Sequence, residues 1–262
     1  MRKCIGQSGC VRFLLFTAIF ATSLCASAAW EVNQSRVSGN LPKGGVVREA
    51  QLSGDGVTAR VTAIVFSSKS YAMHVVDSPA PGTTKLAGVL AAAGCVAGVN
   101  GGYFQDDFRP VGLMIANGRQ VHAFEKAKLL SGILAVRGSR IEIVRPSHFQ
   151  NPGDVREAIQ CGPMLVEGGQ PVAGLNSERS ARRTVVATDG RGQWALIYMT
   201  SVTLADAARI LTNPSVLGDW VPTTALNLDG GSSSGLWAAS TPDEVSRPEL
   251  GHVRNYIGIA PK

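Results

Sequence analysis

The chain has 262 residues, 45% of them hydrophobic and 17% charged, which supplies a sizeable core and excludes a disordered chain. Its formal charge is +6, yet no Lys/Arg cluster interleaved with aromatic residues appears, so nucleic acid is excluded as the expected partner.

In chain order, Arg2 and Lys3 precede a largely apolar run at 11–24, and Ala26-Ser27-Ala28 offers the small residues a signal peptidase needs. Residues 1–28 therefore read as a secretory signal. The run is short for a membrane span, with a retained anchor as the alternative. Leu24 rather than a small residue precedes Cys25, which argues against lipid attachment. Without this segment the chain loses Arg2, Lys3 and Arg12 and no acid, and the formal charge falls from +6 to +3. Cys4, Cys10 and Cys25 leave with it. The remaining pair, Cys95 and Cys161, would lie in a compartment that permits disulfides, and a bridge between them is expected. The other reading makes Cys161 a thiolate nucleophile, but none of His74, His122, His148 or His252 stands in a context that marks it as the base.

The 29–48 stretch, polar and glycine-bearing, reads as an exposed entry arm, with an N-terminal segment to 59 preceding the main domain at 60–262. Residues 57–66 and 71–76 read as a strand and its hairpin partner. Pro79-Ala80-Pro81-Gly82 then breaks the sheet, and 86–94 reads as a short helix ending at a glycine. The apolar run 95–99 is a buried strand that delivers Asn100. Asn117-Gly118 marks a two-residue hairpin turn between 111–116 and 121–124, and a second hairpin joins 133–136 to 141–144. The extended stretch 158–166 carries Gln160-Cys161-Gly162-Pro163, and 182–188 pairs with 194–200. Thr203, with Asp206 three residues on, caps a helix over 204–211. Residues 225–228 form a buried strand ending at Asp229, and 255–259 a last strand. The fold class is α/β in the α+β sense: a single domain with a mixed, largely antiparallel twisted β-sheet and few helices.

On this map the unusual polar groups fall at strand ends. The run Asn227-Leu228-Asp229-Gly230-Gly231-Ser232-Ser233-Ser234-Gly235 places a carboxylate after an apolar stretch and follows it with bare backbone and hydroxyls. Glycines open the main-chain N–H groups to a ligand, and successive N–H groups in a tight turn hold an anion such as phosphate. Arg183 offers a planar fork to the same group. Each motif also has a structural reading: Asn100 as an amide that satisfies a turn, Tyr103 and Phe104 as core, Arg182 and Arg183 as surface charge. A serine hydrolase on Ser232-Ser233-Ser234 lacks the Gly-x-Ser-x-Gly elbow. Zinc spacing is missing, while Asp229, Asn100 and loop carbonyls leave a calcium ion as an open possibility.

Asn100-Gly101-Gly102-Tyr103-Phe104, Pro110-Val111-Gly112-Leu113, Gln160-Cys161-Gly162-Pro163-Met164-Leu165-Val166, Arg183-Thr184 and Asn227-Leu228-Asp229-Gly230-Gly231-Ser232-Ser233 occur in one order. In that order the chain resembles the phosphodiester glycosidase domain family over about residues 60–260. The resemblance implies hydrolysis of the bond between a sugar anomeric carbon and a phosphodiester. It implies catalytic roles for Asp229, Asn100 and Arg183, and substrate contacts at Gly101, Gly102, Tyr103, Gln160, Gly162, Thr184, Gly230, Gly231 and Ser232. Asp106 and Asp107 are the nearest candidates for a second carboxylate. The implied partner is a carbohydrate phosphodiester or envelope glycan in a periplasmic or secreted setting, with no membrane span once the signal is removed. The rival class is a non-catalytic module that binds such glycans or scaffolds exopolysaccharide.

Overall fold

The central strands of this chain are buried on both faces, so their sequences run apolar almost without a break. The computed structural model describes residues 29–262 apart from 55, 80, 81, 83 and 151; the expected signal at 1–28 lies outside the described residues. The first elements are β1 (Glu31–Asn40), β2 (Val46–Gly54), β3 (Val57–Ser67), β4 (Tyr71–Asp77), α1 (Leu86–Ala92) and β5 (Ala97–Asn100). There follow β6 (Met114–Ala116), β7 (Arg119–His122), β8 (Gly132–Arg137), β9 (Arg140–Val144), β10 (Val155–Cys161), β11 (Met164–Glu167) and β12 (Gln170–Pro171). The chain closes with β13 (Ala181–Thr188), β14 (Gln193–Val202), α2 (Leu204–Leu211), β15 (Thr224–Asn227), β16 (Leu236–Ala238), β17 (Val245–Arg247) and β18 (Asn255–Pro261).

The class is α+β with two α-helices among the described residues, and the named strands pair antiparallel. They divide over three sheets, ordered β1-β2-β3-β14-β13-β15-β11-β12, β7-β6-β10-β8-β9 and β17-β16-β5-β18-β4. Burial explains the division. Along β3, Ile64 and Phe66 face a central core, while Val61, Ala63 and Val65 face a second one. The central core is closed from the other side by both smaller sheets, through Met114, Leu134 and Ile159 of one and Val75, Val99 and Ile257 of the other. The outer face of the large sheet is covered by α2 through Ala207, Ile210 and Leu211. Thr203 caps that helix as its sequence predicts, accepting from Asp206 N at 3.0 Å, a contact that contributes about 1 kcal/mol. Asn117 (φ 51) and Gly118 (φ 75) form the two-residue turn between β6 and β7.

Four expectations need correction. The 29–48 arm is not a loose entry segment. β1 and β2 extend the large sheet, with β2 registered on β3, because Trp30, Leu41, Val47 and Leu52 need burial. β3 and β4 are not hairpin partners: β3 pairs with β2 and β14, while β4 pairs with β18 in another sheet. The 158–166 stretch likewise splits at Gly162-Pro163, sending β10 to one sheet and β11 to the other. The Cys95–Cys161 bridge is also absent. Both thiols are free and buried. Cys95 packs with Leu86, Leu90 and Trp237 under α1, whereas Cys161 ends β10 inside the central core. Burial pushes the Cys95 thiol up to about 11 and raises Cys161 further, so neither is a ready nucleophile.

Peptide mapping after alkylation without reductant is expected to show Cys95 and Cys161 unlinked and labelled only in unfolded protein. A linked Cys95–Cys161 peptide would contradict their placement in separate clusters.

Candidate functional site

Two buried strands from different sheets, β5 and β15, end side by side. Leu228 N donates to Thr184 O at 2.8 Å, and Asp229 N to Gly101 O at 3.0 Å, so the Asp-Gly-Gly run emerges against the Asn-Gly-Gly run. Asn100, 0% exposed, joins them. Its Nδ2 donates to Asp229 O at 2.8 Å, and its Oδ1 accepts from Thr184 Oγ1 at 2.6 Å and Gly235 N at 3.1 Å. Gly101 is required by close approach, since a Cβ there would lie 2.0 Å from Asn255 Oδ1. That oxygen accepts from Gly102 N at 2.7 Å.

The Asp229 side chain is half-buried at the lip of this junction. Its Oδ1 accepts from Gly230 N at 2.8 Å, and the Ser233 hydroxyl also bonds the carboxylate. Burial nevertheless wins over these two hydrogen bonds and raises the carboxyl to about 6. The backbone then turns through Gly231 (φ +65) and a 3₁₀ turn, Gly231–Ser233. Arg182 fixes that turn, with Nε donating to Gly231 O at 2.9 Å and Nη2 to Ser232 O at 3.4 Å. Arg183 donates from Nε to Val202 O at 3.0 Å and from Nη2 to Arg179 O at 2.7 Å. Its Nη1 faces Gly230, 3.9 Å from where a Cβ would stand. Tyr103 Oη donates to Gly162 O at 2.6 Å and accepts from Asn227 Nδ2 at 3.2 Å. Burial, with the charges of Cys161 and Asp229, pushes this phenol far up, so it stays neutral.

The structure thus gathers Asp229, Gly230, Gly231, Ser232, Arg183 and Tyr103 about one loop. Asn100, Gly101, Gly102 and Thr184 lie beneath it as support; the turn-satisfying reading of Asn100 matches its contacts. Gln160 works elsewhere: its Oε1 accepts from Leu113 N at 2.9 Å and Glu125 N at 3.1 Å, pinning the segment between β5 and β8. Gly162 contributes a carbonyl to Tyr103, and a Cβ on it would meet Leu129 O at 2.0 Å. Asp106 and Asp107 are exposed, and Asp107 closes its own turn by accepting from Arg109 N at 3.1 Å. The calcium reading loses a ligand, because the Asn100 oxygen is already engaged twice; this leaves Asp229 as a lone carboxylate and a donor set that does not fit the ion. Sequence reasoning read Arg182 as surface charge, quoted Ser233 without a role of its own beside Asp229, and passed over Asn255. Phe108 (φ 64) lies near Phe104 and His252, with ring centroids 5.2 and 6.4 Å away.

Asn100→Ala strands Thr184 Oγ1, Gly235 N and Asp229 O, and is expected to cost at least about 2 kcal/mol in urea unfolding, since each orphaned buried group costs about 1–3 kcal/mol. Asp229 gives a second test. Its folded-state pKa of about 6 lies above the ordinary aspartate value of 3.8, so its penalty is absent below the lower value and grows as pH rises to the upper. Asp229→Asn removes that slope. Relative to wild type, the variant is expected to gain about 2 kcal/mol in unfolding free energy between pH 4 and 7. Parallel curves for the two proteins would show the carboxyl to be unperturbed.

The phosphodiester glycosidase family matches residues 93–260 of this chain. Over 78 residues the chain is 35% identical to YigE, an uncharacterized protein of Escherichia coli strain K12, a match that takes in 27% of this chain and 31% of that one. The chain therefore spans under a third of that relative's length. Among solved structures, the zebrafish N-acetylglucosamine-1-phosphodiester alpha-N-acetylglucosaminidase catalytic domain, auto-inhibited by its pro-peptide, superposes with TM-score 0.61 at 15% identity, over 87% of this chain and 88% of that one. A hypothetical protein from Synechocystis superposes with TM-score 0.63 at 15% identity, over 88% of this chain and 67% of that one. At such identity the two superpositions establish the fold. The family match, which covers well over half of the sequence and contains the whole Asn100–Asp229 junction, establishes that the chain belongs to the phosphodiester glycosidase family.

Proposed function

We propose that the protein is an exported hydrolase that cleaves the bond between a sugar anomeric carbon and a phosphodiester oxygen. The products are free sugar and a phosphomonoester. The observation that carries the reading is the Asp229 carboxylate, half-buried, raised to about 6, and set beside a glycine-rich turn. Export rests on the signal-like character of residues 1–28; among the described residues no helix is long and apolar enough to cross a membrane.

In this reading ionised Asp229 takes a proton from water as the water oxygen bonds to the anomeric carbon. The carbon–oxygen bond to phosphorus breaks, and its electron pair stays on the phosphate. Phosphate leaves without strong protonation, so the second carboxylate of the usual glycosidase pair is dispensable. The leading N–H groups of the turn, at Gly231 and Ser232, and the Nη1 edge of Arg183 face the departing charge. Asn100 acts as a positioning residue: through Asp229 O it sets where the carboxylate stands. Arg182 keeps the turn's carbonyls directed away from the anion.

Sugar release from a panel of sugar-1-phosphodiesters tests the reading. Wild-type kcat/KM is expected to rise with pH through about 6, because the base must be ionised. Asp229→Asn is expected to lose about a thousandfold in kcat, within the range for a general base, and chelator to leave the rate unchanged. Wild-type turnover in Asp229→Asn would refute the assignment. Binding of the panel without release would leave the chain a glycan-binding module.

A further inference from the structure

A cleft of about 420 Å³ lies apart from Asp229. It lies on the central-core face of the large sheet, toward the β1 edge, and the strand register ties it to the site. Arg36 pairs with Glu49 across β1 and β2, Glu49 with Thr62 across β2 and β3, Thr62 with Tyr198 across β3 and β14, and Tyr198 with Thr184 across β14 and β13. Directly opposed residues share a face, so these five side chains form one row. Its last member, Thr184, carries Asn100. With strands about 4.8 Å apart, the cleft floor at Thr62 lies about 10 Å from Thr184. The far wall touches the same junction, because Arg247 of β17 lies over Gly235, where a Cβ would meet Arg247 O at 3.3 Å.

The lining is charged and only partly satisfied. Arg36, Arg60 and Arg247 face a single carboxylate, Glu49, leaving a surplus of two positive charges. Glu49 is held at both oxygens, by Arg36 Nη2 at 2.8 Å and Arg247 Nη2 at 2.5 Å. The Arg60 guanidinium and the Tyr198 hydroxyl, both on residues that line the cleft, have no hydrogen bond within the described residues. A cleft whose purpose was stability would pair these groups, since solvent-exposed arginine beside arginine gains nothing by itself.

The geometry points to this cleft as a second binding site, one that takes an anionic group, carboxylate or phosphate, on an extended glycan. It deepens the proposed function, and rests on that reading in assigning the cleft to the same substrate: the bond to be cut sits at Asp229, while the next units of an acidic glycan run along the sheet over Thr184, Tyr198 and Thr62 to the arginines. A neutral chain lacks the acceptors that Arg60 needs.

Binding can be measured apart from turnover, by following backbone amide resonances of the labelled protein during titration with trigalacturonate, glucose 1-phosphate and maltotriose. The expected result is shifts at Gln51, Arg60, Thr62 and Thr200 with one or both anionic probes and none there with maltotriose. Whichever anionic probe binds tighter identifies the group recognised. Arg60→Gln, which breaks no contact in the protein, is expected to weaken that binding about tenfold, the loss of one charge-assisted hydrogen bond, and added salt to weaken it in wild type. Asp229→Asn is expected to keep the shifts. Equal binding by Arg60→Gln, equal shifts with maltotriose, or anion-induced shifts confined to Gly230–Ser233 would each overturn the assignment. Cleft binding without sugar release from any phosphodiester would sink the hydrolase reading and leave the cleft; sugar release without cleft binding would do the reverse.

Discussion

One buried amide, that of Asn100, holds the three parts of the site in register. Its oxygen receives Thr184 from the large sheet and Gly235 from the chain entering β16, and its nitrogen binds the carbonyl of Asp229. None of these groups has water as an alternative at this depth, so each orphaned partner costs about 1–3 kcal/mol. The network therefore has one low-energy arrangement, and the carboxylate that follows Asp229 O along the chain inherits it. Asn255 repeats the device a strand away. It binds Gly102 N through a side-chain oxygen that only glycine at 101 leaves room for. The two Gly-Gly pairs thus have different uses: Gly101 lets backbone meet side chain inside the fold, and Gly231 lets backbone turn at its surface.

The electrostatics follow from what the arginines do not touch. A guanidinium paired with Asp229 would hold the carboxyl well below its ordinary range. Instead Arg182 and Arg183 donate to main-chain carbonyls at Gly231, Ser232, Val202 and Arg179. Desolvation then dominates at Asp229 and raises it, while burial lowers Arg183. A carboxylate without a cation and a guanidinium without a carboxylate stand on either side of Gly230.

Much of the fold was legible because it is local. The apolar run of β3, the Asn117-Gly118 turn and the Thr203 cap each follow from a few neighbouring residues. Non-local pairing was not legible: an apolar strand such as 71–76 fits β3 or β18 equally well until the other strands are placed, and the large sheet's need for a cover on its central face decided it. The cysteines failed for the same reason, since two residues in one compartment can still belong to separate packing clusters. Within the site, Asp229 and its glycines announced themselves by an unusual run. Arg182 and Asn255 did not, because an arginine on a strand and an asparagine near a terminus have no local signature, and their roles exist only once β13 meets the loop and β18 meets β5.

Arg182 and Arg183 also pose a geometric question, since successive residues of a regular strand point to opposite faces. The register of β13 on β14 shifts between Ala181 and Arg183, so that one extra residue of β14 is accommodated there. A bulge of this kind bends the strand that carries the extra residue, here β14, and leaves the alternation along β13 intact. On β13, Arg182 reaches Gly231 O while Arg183, from the opposite face, brings Nη1 toward Gly230. Two adjacent cations therefore address one turn from two sides without contacting each other's acceptors. The irregularity sits at the sheet's end, where ladder bonds are running out and cost least to break. From Thr184 on the register is regular, and the row of opposed side chains from Thr184 to Arg36 depends on it: a one-residue slip there would turn Thr184 from Asn100 and the row from the cleft together.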